Sequence, residues 1–280
     1  MLAKFVSAAA ALVCLAASPT MAAEADNAFE IQVYKHVDSQ ALEAFVFRPA
    51  GTTPRPAVVL LHGGGWTAGA PEWTFAAAQI LRRQGLVAIP VRYRLSGESA
   101  TPLDALADAC DAFAWVRANA ASLGVDPKRV AGYGVSAGGQ LVASAGLGAC
   151  PDGRKGPDLM ALWSPALDLA GDGWFRRLLK GADPARISPT SLAGRGGPPT
   201  VIVQGGKDTL TPLKGAEALC GGLKAAGGVC ELNVYPGLGH LLTRNLANQE
   251  SDFDVDPDAD KDGDAKINAF LKAQGYIAAQ

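Results

Sequence analysis

Arg129-Val130-Ala131-Gly132-Tyr133-Gly134-Val135-Ser136-Ala137-Gly138 decides the fold, because a short apolar strand there runs straight into a glycine-flanked serine. Helical residues follow from Ala137. A turn this tight puts its central residue in strained backbone angles, and the flanking glycines remove the Cβ atoms that would clash. Ser136 therefore projects from the carboxyl edge of a sheet.

Outward from that turn the chain alternates strands and helices. Upstream lie a strand at 57–61, a helix at 72–84, a strand at 87–91 and a helix at 103–121. Downstream lie strands at 159–163 and 200–204, a helix at 212–226, a strand at 231–235 and a closing helix at about 264–273. Short unbroken apolar runs between helices predict parallel strands covered on both faces, a three-layer α/β/α architecture. Before them, residues 29–34 and 42–47 alternate apolar and polar with period two and predict an N-terminal antiparallel hairpin. The least regular stretch, 165–199, is too long for a simple connection and is expected to form a partial cover over the strand ends. One domain, 23–280, accounts for the whole pattern.

Composition narrows the possibilities. With 280 residues, 49% hydrophobic and a formal charge of −2, the chain is expected to bury a large core, and nothing in its charge balance suggests nucleic acid as a partner. Eight of its 27 acids fall within 250–264. Asp258, Asp260, Asp262, Gly263 and Asp264 imitate the start of a calcium loop, but the twelfth position is Ala269, where a bidentate acid is needed, so a solvated acidic loop with helix-start acids is expected, and weak calcium binding is the alternative. Residues 1–22 have a single charge at Lys4, an apolar run from Phe5 to Ala17 and a small-x-small end at Thr20-Met21-Ala22. They read as a secretory signal peptide, too short to span a bilayer, which implies a secreted or periplasmic protein with no membrane attachment after cleavage.

Export changes the meaning of the cysteines. Cys110, Cys150, Cys220 and Cys230 remain after cleavage, without the paired spacing of a zinc site. Cys220 and Cys230 bracket a helix end and a strand entry, where a bond would contribute roughly 2–3 kcal/mol. Cys110 and Cys150 pair if their carriers are neighbours. Buried free thiols are the alternative for both pairs.

Three further signals surround Ser136. His62-Gly63-Gly64-Gly65-Trp66 directly follows the strand at 57–61. Glycines there expose backbone N–H groups suited to a developing oxyanion, with Gly63, Gly64 and Ala137 as donors. The chain has three histidines, and His240, in the loop after strand 231–235, is the candidate base for Ser136. Asp208, just beyond strand 200–204, is the candidate partner of that base, with Asp168 as a rival. Trp66 and Trp174 are candidate substrate contacts. The order Ser136, Asp208, His240 is that of hydrolases with this elbow.

These motifs, together with Tyr93-Arg94-Leu95 and Trp115 to Asn119, resemble the α/β-hydrolase superfamily. Within it they are similar to the hormone-sensitive-lipase-like esterases and the secreted acetylxylan and feruloyl esterases. The resemblance implies a carboxylic-ester hydrolase working through an acyl-enzyme, without metal or cofactor, on short acyl esters, acetyl or feruloyl esters of polysaccharide among them. Val135 stands where the lipase-like branch usually has an acid, which shifts the likeness toward the acetylxylan-esterase relatives. The long N-terminal helical cap of that branch is also missing. Two other readings share the scaffold: an amide hydrolase of peptidase or arylformamidase type, and a catalytically silent binding module.

Overall fold

The computed structural model describes residues 28–278, so the expected signal peptide lies outside the described residues. A two-stranded antiparallel hairpin, β1 (Glu30–Val37) and β2 (Gln40–Val46), precedes a six-stranded parallel sheet. That sheet contains β3 (Arg55–Leu61), β4 (Val87–Pro90), β5 (Val125–Val135), β6 (Met160–Trp163), β7 (Thr200–Gly205) and β8 (Cys230–Tyr235), in spatial order β4-β3-β5-β6-β7-β8. Phe47 and Ala88 exchange backbone hydrogen bonds of 2.9 and 3.0 Å, attaching the hairpin to the β4 edge.

The strands are apolar on both faces because both faces are covered. On β3, Ala57, Val59 and Leu61 pack into one core while Val58 and Leu60 pack into the other. Likewise, Met160 and Leu162 of β6 oppose Ala161 and Trp163. The first core receives α2 (Pro102–Ala118), α3 (Ala137–Gly146) and α5 (Leu213–Ala225); the second receives α1 (Phe75–Arg83) and α6 (Pro257–Ala273). Among the described residues no helix is long and apolar enough to cross a membrane.

Polar ties fix the periphery. Asp108, fully buried on α2, accepts from Lys35 of β1 at 2.5 Å and from the Arg94 backbone N–H and guanidinium at 2.8–3.0 Å, so its buried charge is paired. Both expected disulfides are closed, Cys110–Cys150 with Cα atoms 5.7 Å apart and Cys220–Cys230 with 5.3 Å. Cys150 sits in the loop beyond α3, so the first bond joins a helix to a loop.

Residues 165–199 contain α4 (Gly173–Leu178) and several shorter turns, anchored by Phe175, Leu167, Leu169 and Ile187, all buried. Gln140 Nε2 and Ser144 Oγ both donate to the Ile187 carbonyl, at 2.9 and 2.7 Å. This stretch is therefore fastened to α3, the helix that Ser136 opens.

The acidic segment departs from expectation. Asp258 to Asp264 form the first two turns of α6 rather than a loop, because Asp256 caps the helix through the N–H groups of Asp258 and Ala259 and Pro257 occupies its first position. Gly263 lets α6 lie on Trp163, where a Cβ would come within 2.6 Å of the ring. Close packing half-buries Asp264 beside Asp260, and desolvation first, then the Asp260 charge, raises its pKa to about 6. A carboxyl raised in the folded state favours folding when protonated and loses that advantage as pH rises from about 4 through 6. Asp264→Asn is accordingly expected to raise the melting temperature at pH 7.5 and to give no gain at pH 4, as differential scanning calorimetry would show.

Candidate active site

Ser136 stands between the end of β5 and the start of α3 with φ 52° and ψ −115°, a conformation that costs of order 1–3 kcal/mol. Its surroundings leave no alternative. A Cβ on Gly134 would lie 2.4 Å from the Gly138 carbonyl, and one on Gly138 would lie 2.2 Å from the Leu61 carbonyl. The two glycines are present for close approach, and the Ser136 N–H is spanned to the Trp163 carbonyl at 2.9 Å.

A hydrogen-bonded chain leads away from the serine. His240 Nε2 lies 3.1 Å from Ser136 Oγ, and His240 Nδ1 lies 2.8 Å from Asp208 Oδ2. Asp208 and His240 are both buried. The other Asp208 oxygen accepts the N–H groups of Leu210 and Thr211 at 2.9 and 2.8 Å, while Oδ2 also receives Gln204 Nε2 at 3.1 Å and Thr211 Oγ1 at 2.7 Å. Four donors besides the histidine hold the carboxylate in one orientation. Asp168 is elsewhere, 3.4 Å from Lys214 Nζ on an exposed surface, and His36 pairs with Ala41 in the hairpin.

The glycine loop closes the opposite side. A Cβ on Gly63 would lie 3.2 Å from the Ser136 Cβ, so this backbone abuts the serine. His62 is buried behind it, stacked on Tyr93 with centroids 4.3 Å apart, and its Nδ1 lies 2.7 Å from the Gly63 carbonyl. Because the peptide is planar and trans, a carbonyl turned toward His62 directs the Gly64 N–H away from it, out of the loop. The Ala137 N–H is at the first position of α3, where no intrahelical acceptor exists. Burial lowers the His62 pKa to about 4, so the ring is neutral and is a prop for the loop.

The two tryptophans separate in role. Trp66 is buried, donates Nε1 to Gln140 Oε1 at 2.8 Å and packs on Phe175 at 4.6 Å, so it braces the loop against α4 instead of facing an open site. Trp174 is exposed, and its Nε1 would lie 4.0 Å from a Cβ on Gly65, placing it over the glycine loop. A depression of about 250 Å³ behind His62, bordered by Gln40, Arg92 and Ser99, includes none of Ser136, Asp208 or His240.

Gln249 is a residue that sequence reasoning does not reach. Its buried amide accepts from the His240 N–H at 2.8 Å and the Thr209 N–H at 3.1 Å, and donates to the Lys207 carbonyl at 3.0 Å. One side chain thus ties the base loop to the acid loop. Ser164 does similar work, accepting the Leu241 N–H at 3.1 Å on Oγ. Neither has a spacing signal, because each acts through contacts made only after folding.

A family model described as alpha/beta hydrolase fold matches residues 58–177. Esterase 2 of Thermogutta terrifontis, solved as its tabun-phosphoramylated form, is 30% identical with a TM-score of 0.80, over 90% of this chain and 97% of that one. The same protein has been solved propionate-bound and butyrate-bound. The carboxylic ester hydrolase LipN of Mycobacterium tuberculosis is 33% identical over 226 residues, 69% of this chain and 59% of that protein. An arylesterase of Saccharolobus solfataricus is 38% identical over 103 residues, 36% of this chain and 33% of that protein. The chain thus spans from a third to under two thirds of these two curated relatives. It belongs to the alpha/beta-hydrolase family.

Two expectations follow. Gln249→Leu should slow labelling of Ser136 by a fluorophosphonate about 10- to 100-fold, since small displacements of a base cost on this scale, with the melting temperature measured alongside to count the folded fraction. Because unfolded histidine binds protons below about 6.5 and buried His62 only near 4, stability should fall as pH drops through that window. The loss attributable to His62 has an upper limit of about 3 kcal/mol, and urea melts at pH 7 and pH 4.5 would measure it by comparison with His62→Gln.

Proposed function

We propose that this chain is an exported serine carboxylic-ester hydrolase acting on short acyl esters, small or polysaccharide-linked, with acetyl and feruloyl groups as the candidate acyl parts. The observation that supports this most is the continuous chain from Ser136 Oγ through His240 to Asp208, at 3.1 and 2.8 Å, beside a glycine loop. In the proposed cycle His240 Nε2 takes the serine proton as Oγ attacks the ester carbonyl. Gly63, Gly64 and Ala137 N–H groups stabilise the oxyanion. Collapse breaks the ester C–O bond, His240 gives its proton to the leaving alkoxide, and water then hydrolyses the acyl-enzyme by the same route in reverse. No step asks for a metal or cofactor.

Short acyl groups are favoured by the propionate and butyrate complexes of the Thermogutta esterase and by α4, whose buried Phe175 fills the space behind Trp66. The organophosphate adduct of that esterase makes a phosphonate the natural probe of Ser136. Export rests on residues 1–22 and on the two disulfides.

The test is turnover of p-nitrophenyl esters from acetate to octanoate, acetylated xylan and aminoacyl anilides. Wild type should prefer acetate to butyrate, and Ser136→Ala should lose at least about 10⁴-fold in kcat. Unchanged turnover in Ser136→Ala would sink the assignment, and anilides turning over faster than esters would replace it with an amidase. The mature N-terminus after export should be Ala23 or Glu24.

A further inference from the structure

An aromatic side chain has no packing reason to be held in water. Phe253 is nevertheless 41% exposed, with its ring centroid 6.5 Å from that of His240. Its backbone is fixed on both sides. Asp252 before it accepts Asn245 Nδ2 at 3.0 Å on its carbonyl and its carboxylate. Asp254 after it pairs with the Arg244 guanidinium at 2.6 and 3.0 Å, accepts the Arg244 N–H at 2.8 Å, and donates its own N–H to Thr243 Oγ1 at 2.9 Å. Gln249, between these two legs, anchors the same segment to the His240 backbone. The segment 243–255 therefore presents one aromatic face at a fixed distance from the base.

Which half of an ester meets that face follows from proton transfer. His240 must deliver its proton to the leaving oxygen, so the alcohol half lies on the His240 side, away from the glycine loop that holds the carbonyl oxygen. Trp174 flanks the glycine loop; Phe253 flanks the base. The loop that displays Phe253 is rich in carboxylates, which repels an anionic alcohol.

Building on the esterase reading, we infer that Phe253 is the specificity contact for the alcohol half of the substrate, and that this half is an uncharged ring with an apolar face, aryl or pyranose. The C–O bond broken is the one joining the acyl group to that ring-bearing alcohol, which leaves with the His240 proton.

The experiment holds the acyl group constant and varies the alcohol: ethyl acetate, benzyl acetate and an acetylated methyl xylopyranoside, with wild type, Phe253→Ala and Phe253→Leu. Titration with a fluorophosphonate, whose leaving group is fluoride, counts the competent sites in each preparation. Phe253→Ala should lose about fivefold more kcat/KM on a ring-bearing ester than on ethyl acetate, with Phe253→Leu intermediate; which ring suffers identifies the source. Equal losses on all three esters, or changes under twofold throughout, overturn the inference. Absence of turnover by wild type on every ester tells against the esterase reading itself.

Discussion

The contact on which the site depends is between backbones: the end of β3 against the first turn of α3. Gly138 lies so close to the Leu61 and His62 carbonyls that no side chain fits between them. Through this approach β3 and β5, already paired from Ala57↔Val130 to Leu61↔Gly134, deliver the glycine loop and Ser136 to one place. Everything else brings a base and its carboxylate to a serine whose position this contact has set.

The remaining groups arrive from loops that share little sequence. Asp208 leaves β7, His240 leaves β8, and Gln249 comes from the segment beyond. Polar side chains keep these loops in register; a buried amide with three good partners, as at Gln249, contributes more to geometry than to net stability. Backbone strain collects in the same region, since Trp66, Ser136, Ser164, Leu241 and Leu242 all have positive φ. Packing elsewhere, between the two cores, supplies the stability that tolerates it.

Much of this was legible in the sequence because it depends on local chemistry. The apolar runs of β3, β6 and β7 read as doubly covered strands, and Gly134 to Gly138 read as a strand-to-helix elbow, since both patterns reflect constraints a few residues long. Ser136, Asp208 and His240 followed from order and rarity. Gln249, Ser164 and Phe253 were not legible, because an ordinary glutamine, serine or phenylalanine gains its role only from partners 9, 77 and 13 residues away. Trp66 misled for the same reason: position beside a glycine loop does not say which way an indole faces. At α6 the acidic spacing of a calcium loop competed with Asp256-Pro257, a helix-start pair, and capping prevailed.

The backbone angles at Ser136 have a bearing on descent. Glycine occupies φ 52°, ψ −115° with far less strain than serine, so the commonest way to make this turn comfortable is also a way to disarm it. A lineage in which hydrolysis ceased to matter would find replacement of that residue favoured by thermostability alone. Serine in so strained a place, within so constrained a turn, sets the demands of chemistry against those of the fold.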